Sequence, residues 1–269
     1  MGLIKKKSKQ LATLLPNEIY CFIVNLRSAF RRQGLRISAL KNGLFSANVD
    51  NENVHFARRI RYYFYKRGIT ARVNALAKDY QLNSIKFRTG DHVIDCGANI
   101  GEIGIFLNQF DVRYHPFEPE EKEAHCCDLN NFDGNMETNR IALWNRDENI
   151  TFYSNPETAD SSIFPSSLGI PTKSIPATTL SSYVKNTKIK SIRLAKIEAE
   201  GAEPEVLQGA QPILHTIDYV SVDCGPERGI SKSSTHQECD DILQKFDFEL
   251  INISSPRKIA LYRRRDAEI

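Results

Sequence analysis

What this amino-acid sequence has least of is acidic charge at its beginning. Only Glu18, Asp50 and Glu52 occur in the first 72 residues, against 15 Lys and Arg, a net +12. The 269 residues together sum to +3, so the remainder carries −9. A basic head over residues 1–72 and an acidic body over 73–269 suggest two jobs in one chain. Long apolar runs are also missing. The best stretch, Ile19–Leu26, is eight residues long and broken by Asn25, well short of the roughly 18–20 residues a spanning helix needs. No A-x-A-like site follows it, which argues against a signal peptide. Cysteine pairs are absent too. Cys21, Cys96, Cys126, Cys127, Cys224 and Cys239 form no C-x-x-C at zinc-site spacing and read as free thiols of a reducing, cytoplasmic setting. There is no internal repeat and no low-complexity tract. A hydrophobic content of 41% with 26% charged residues excludes wholesale disorder.

What is present is patterned. In the head, apolar residues at 19, 22, 23, 26 and 30 predict a helix over Pro16–Arg32, ended by Gly34. The polar, Asn-rich stretch Asn42–Asn53 separates it from a second expected helix over Val54–Lys66 and a third over Arg72–Tyr80, so the head is expected to be helical. From His92 onward short apolar runs alternate with helical segments. Strands are expected at His92–Asp95, Val112–Glu118, Met136–Leu143, Ile150–Tyr153, Arg193–Ile197 and Tyr219–Asp223. A loop is expected over Asp160–Lys173, and Phe248–Ile253 with Lys258–Arg263 reads as a closing hairpin. This predicts an α/β, Rossmann-like, mostly parallel sheet of seven strands with an antiparallel C-terminal hairpin.

Chemistry concentrates in three places. Val93–Gly104 (VIDCGANIGEIG) is a strand, a turn with Gly97 and Gly101, and a helix start, the form of a nucleotide-type cofactor loop. Its G-x-x-x-G-x-x-G spacing departs from the dinucleotide G-x-G-x-x-G, and Glu102 would repel a pyrophosphate. S-adenosylmethionine suits it better, with Asp95 as acceptor for the ammonium. Glu118, 23 residues after Asp95 and followed by Pro119, is placed at a strand end to accept from ribose hydroxyls. The third place is Ala195–Gly209 (AKIEAEGAEPEVLQG). Its Glu198 and Glu200 stand at a strand's carboxyl end, the ligand crevice of open α/β sheets, whereas Glu203 and Glu205 read as acids of a helix's first turn.

DCGANIGE, FEP and LAKIEAEGAEPEVLQGA, in this order, resemble the FkbM family of S-adenosylmethionine-dependent methyltransferases, over roughly residues 60–265. One departure is Glu198, where the family motif has Asp. Asn139–Leu143 resembles the family's segment near the adenine. Ser162 with Thr178, Thr179 and Leu180 fits its intervening segment. The resemblance implies a methyltransferase sheet with S-adenosylmethionine held by Asp95, Gly97, Ala98, Asn99, Gly101, Glu118, Pro119 and Ala142. Glu198, Glu200 and Asp223 would face a hydroxyl acceptor on a glycan or small molecule, with O-methylation as the expected reaction. His115 is a lesser candidate base, and no metal is expected because no further Asp-Asn ligand pair accompanies these acids. Two other readings stay open: an RNA methyltransferase, and a non-catalytic cofactor-binding or membrane scaffold. For the head, an anionic membrane contact through residues 1–36 competes with a solvated helical cap. Nucleic acid is weaker, since no recognised RNA-binding motif is present.

Overall fold

The structure is a computed structural model that describes residues 15–153, 163–164, 172–255 and 257–267. Lys5–Lys9, Ser162 and nearly all of the expected loop Asp160–Lys173 lie outside the described residues. Contacts divide the chain into two units, Met1–Arg72 and Val73–Ile269.

In the first unit, helix α1 (Asn17–Phe30) forms where helical spacing predicts it. It buries Cys21, Val24 and Ser28. Its Asn25 side chain pairs with both backbone groups of Ile37, donating to the carbonyl at 2.9 Å and accepting from the N–H at 2.7 Å. The second expected helix does not form there. Strands β1 (Arg36–Ala39), β2 (Phe45–Val49) and β3 (Glu52–Phe56) make an antiparallel sheet in that order. A short 3-10 helix, Arg59–Tyr65, follows. Asp50 and Asn51 both take positive φ, 52° and 68°, the requirement of a two-residue hairpin turn that Asp and Asn tolerate. Ile37, Phe45, Ala47, Val49, Val54 and Phe56 then point to one buried face. The head is therefore a helix on a small sheet rather than an all-helical extension.

Helix α2 (Ile69–Asp79) precedes the body. The body's elements follow in order: β4 (His92–Cys96), α3 (Glu102–Leu107), β5 (Arg113–Phe117), α4 (Glu121–Asn131), β6 (Ala142–Leu143), β7 (Glu148–Tyr153), β8 (Thr172–Thr178), α5 (Leu180–Thr187), β9 (Ile192–Ile197), α6 (Glu203–Ala210), β10 (Ile217–Asp223), β11 (Pro226–Arg228), β12 (Ser233–Ser234), α7 (His236–Lys245), β13 (Phe248–Ile253) and β14 (Ile259–Arg264). The main sheet runs β13-β14-β10-β9-β4-β5. Its β10, β9, β4 and β5 are parallel, and β14 runs antiparallel to both of its neighbours, β10 and β13. Every residue of the central strand β9 is buried.

The sheet has six strands, not the expected seven. Met136–Leu143 contributes one parallel bridge, Phe117 to Asn139, with Asn139 N–H on Pro116 O and Glu118 N–H on Asn139 O. Flanking groups pull the segment elsewhere. Buried Asp128 of α4 accepts from the Thr138 N–H and hydroxyl at 2.8 and 2.6 Å and from Arg140 at 2.6 Å. Ala142 and Leu143 then pair with β8, which with β7 makes a separate three-stranded sheet. Among the described residues no helix is long and apolar enough to cross a membrane.

Candidate active site

The site grows from a polar row at the carboxyl ends of β4, β9 and β10. Strand register sets Asp95 opposite Lys196 and Lys196 opposite Ser221. A lysine in the middle of a buried sheet survives only if its charge is met. The Lys196 ammonium lies 2.9 Å from Asp95 Oδ1 and 3.3 Å from Glu198 Oε2. It donates to the carbonyls of Cys96 (3.1 Å) and Gly97 (2.9 Å). Burial works against its charge, but Asp95 and Glu198 outweigh burial and hold its pKa above the ordinary value. Asp95 is itself fully buried, and Tyr114 donates to its other oxygen at 2.6 Å. Its carboxylate is thus committed to Lys196 and Tyr114 beneath the loop.

The row continues through Arg257, from the turn between β13 and β14. One guanidinium nitrogen, Nη2, stands 2.6 Å from Glu198 Oε1 and 2.7 Å from Asp223 Oδ2. The result is an alternating chain of charge: Asp95, Lys196, Glu198, Arg257, Asp223. The buried ring of Tyr80 serves both cations, with its centroid 5.1 Å from Lys196 Nζ and 5.6 Å from Arg257 Cζ, a cation–π arrangement. The neighbouring Gln81 fixes this segment by donating to Ile259 O at 2.8 Å. Burial alone would raise Glu198, but Lys196 and Arg257 bring it down to about 2. Asp223 goes the other way, raised by burial and by Glu198 against the pull of Arg257.

Glu227, on β11, adds a fourth carboxyl of this strand end. Its Oε2 is buried with no hydrogen-bond partner among the described residues. Burial, then Asp223, Glu198 and Glu203, push it up to about 8. Glu227 Oε1 and Asp223 Oδ1 lie 3.6 and 3.1 Å from the point where a Cβ on Gly225 would stand. Glu203, by contrast, is a fastening. Its carboxylate accepts from the N–H groups of Ala199 and Gly201 and from the Thr235 hydroxyl.

The glycine loop crosses the top of this row. Gly97 and Ala98 both donate to Phe117 O at 3.0 Å, which ties the loop to β5. Gly97 has φ 72°, and a Cβ on it would overlap the carbonyl oxygen of Glu198. Asn99, at φ 52°, donates its N–H to Glu118 Oε2 at 2.9 Å, and Glu120 N–H serves Oε1 at 2.8 Å. Burial outweighs these bonds and pushes Glu118 up to about 7. α3 is only six residues long and begins at the buried Glu102, with Gly101 as its left-handed cap, so it is the loop rather than a helix end that tops the charged row.

The fold therefore gathers Asp95, Gly97, Ala98, Asn99, Gly101, Glu118 and Pro119 along one loop and strand end, and joins Glu198 to Asp223. Glu200 stands at φ 51° in the turn leading to α6, and the charged row is complete without it. Ala142 belongs to the smaller sheet. His115 is enclosed by His92 at 2.8 Å and the Tyr183 hydroxyl at 2.9 Å. Burial, with His92 and Arg113, lowers it to about 4. Arg257 and Tyr80 were not singled out by the sequence as site residues, and nothing local marks them. Glu227 ends the polar turn Asp223–Glu227, which by sequence reads as lining for an acceptor pocket at this sheet end.

A family model described as the methyltransferase FkbM domain matches residues 95–250. Among solved structures, the crystal structure of methyltransferase FkbM from Methylobacillus flagellatus KT is similar at 14% identity and a TM-score of 0.44, over 67% of this chain and 45% of that one. This chain thus spans under half the length of that protein. No curated protein matches.

Proposed function

The chain belongs to the FkbM methyltransferase family, and from that premise we propose that it transfers a methyl group from S-adenosylmethionine to a hydroxyl of a glycan or small-molecule acceptor. The observation that carries this reading is the buried Glu118 carboxylate bonded to Asn99 N–H at the lip of the glycine loop. Each Glu118 oxygen meets one backbone N–H and keeps acceptor capacity for a hydroxyl donor, which fits a ribose diol. S-adenosylmethionine, when bound, supplies a methyl group already activated on a sulfonium. The protein's own task is then to place the acceptor on axis and to take its proton. Glu198, held near 2 and tied to Lys196 and Arg257, is too weak a base at neutral pH. It orients, together with Asp223 and Arg257. We assign the proton to Glu227, whose pKa of about 8 is matched to that role.

Calorimetry tests the cofactor half. Glu118→Ala should weaken S-adenosylmethionine binding by about two to four orders of magnitude, the loss of two charge-assisted hydrogen bonds at about 1.5–3 kcal/mol each. Wild-type affinity should rise with pH through about 7 as Glu118 ionises. An unchanged affinity in the variant, or no binding by the wild type, overturns the assignment.

The pH–rate profile tests the acceptor half. A base of pKa about 8 gives a kcat/KM that climbs through that pH and then levels. Glu227→Gln should lower the plateau and remove the inflection, and a retained inflection rules Glu227 out. Because burial penalises its charged form, Glu227 favours the fold below its unfolded pKa, and that contribution is lost as pH rises through about 8. The variant should therefore be no less stable than the wild type above that pH. The acceptor class is read from radiolabelled methyl transfer to polysaccharide, small-molecule and RNA fractions. Label confined to RNA would replace the hydroxyl-acceptor reading with RNA methylation.

A further inference from the structure

We propose that the face of the head formed by α1 and the Arg59–Tyr65 3-10 helix docks on an anionic lipid surface. An amphipathic helix of a globular unit ordinarily turns its large apolar side chains to the core. Those of α1 do not. The face turned to the unit's interior carries Cys21, Val24 and Ser28, whereas Ile19, Phe22, Leu26 and Phe30 lie outward, with Phe22 67% and Phe30 81% exposed. At steps of three, four and four residues these four form one stripe along the helix.

The stripe has a neighbour of the same kind. Tyr62 of the 3-10 helix meets Tyr20 of α1 edge-on at 6.1 Å, and Arg59 lies over the same Tyr20 ring at 5.1 Å. On that neighbour Ile60, Tyr63 and Phe64 are exposed, Tyr63 by 62%. Two adjacent elements thus hold seven outward apolar side chains, an exposure of the kind that marks an interaction surface.

Charge selects the occupant. Arg27, Arg31 and Arg32 are exposed at and just beyond the end of α1. Lys5, Lys6, Lys7 and Lys9 precede it in sequence, and residues 1–72 sum to +12. A second copy docking through the same face would bring two such charges together, which opposes a dimer. Ile19, Leu26 and Ile60 offer nothing to stack on a nucleic-acid base. An anionic bilayer meets both features: the apolar stripe enters the boundary between headgroups and chains, and the arginines reach the phosphates. α1, at 14 residues, lies in that interface rather than crossing it.

The test uses the full chain with phosphatidylcholine vesicles, with and without phosphatidylserine, in co-sedimentation. Binding should require phosphatidylserine and weaken as salt is raised. Phe22→Ser with Phe30→Ser should weaken it by roughly a hundredfold through lost apolar burial. Arg31→Gln and Arg32→Gln should each weaken it about fivefold. Both phenylalanines are exposed, so an unchanged circular-dichroism spectrum and melting curve will show that the double variant is folded. The proposal is overturned if the wild type stays in the supernatant with anionic vesicles, or if the double phenylalanine variant binds as tightly as the wild type. It is also overturned if light scattering finds a dimer that this variant converts to a monomer, or if the wild type binds RNA and the variant loses that binding while both ignore vesicles.

Discussion

Lys196→Met is expected to destabilise the body by about 3–5 kcal/mol, the usual consequence of removing one partner from a buried ion pair. In a unit of this size that is a fall of roughly 10 °C in Tm. The reason is the number of groups that lose their partner together. Lys196 is 2% exposed and stands against Asp95, Glu198 and the carbonyls of Cys96 and Gly97. Methionine fills similar volume and returns none of those contacts. The second arm is Asp95→Asn in the same chain. It removes the orphaned negative charge and leaves an oxygen for the Tyr114 hydroxyl, so the double variant should be more stable than Lys196→Met alone. A positive coupling of this sort is what a double-mutant cycle reads. If Lys196→Met melts within about 2 °C of the wild type, a shift under roughly 1 kcal/mol for this size, the charged row does not organise this strand end.

That row shows where sequence reading reaches and where it stops. β4 and its loop were legible because Val93 and Ile94 are an apolar run punctuated by Gly97 and Gly101, and Glu118-Pro119 marks a strand end by itself. By alternation Lys196 shares a strand face with Glu198, but strand order decides what stands opposite it, and no local pattern encodes that β9 lies between β4 and β10. Arg257 is more hidden still. In sequence it is one residue of a Ser254–Arg257 turn, and it reaches Glu198 across 59 positions and Asp223 across 34. Tyr80 reads as the last residue of a helix, and only the folded sheet sets its ring near two cations.

The head differs, because its signal is local. Phe45, Ala47 and Val49, then Val54 and Phe56, alternate at a period of two across Asp50-Asn51, the pattern of a hairpin. The Asn-rich composition masked it. The missing seventh strand of the body is a competition instead: Met136–Leu143 has strand-forming residues, yet Asp128 and β8 hold its two halves in other places.

Gly97→Ala should be the most damaging of the small substitutions in the glycine loop, because two separate penalties fall on one methyl group. The backbone there has φ 72°, and the added Cβ would overlap the Glu198 carbonyl. The first penalty is about 1–2 kcal/mol for a residue with a Cβ in the left-handed region. The second falls on main chain rather than on a side chain that can swing away, since Glu198 N–H is itself bonded to Cys96 O. Two other glycines of the body separate these contributions. Gly90 has φ 83° with nothing within 4 Å of its would-be Cβ, so Gly90→Ala reports strain alone. Gly209 lies in α6 without a positive φ, and its Cβ would overlap the Trp144 carbonyl, so Gly209→Ala reports overlap alone. Thermal melts should rank Gly97→Ala below both. Only Gly97→Ala should also abolish S-adenosylmethionine binding by calorimetry, because relief of the overlap must move the loop away from β9 and the Gly97 carbonyl away from Lys196. If Gly97→Ala binds the cofactor as the wild type does, the loop tolerates displacement and the cofactor is held elsewhere.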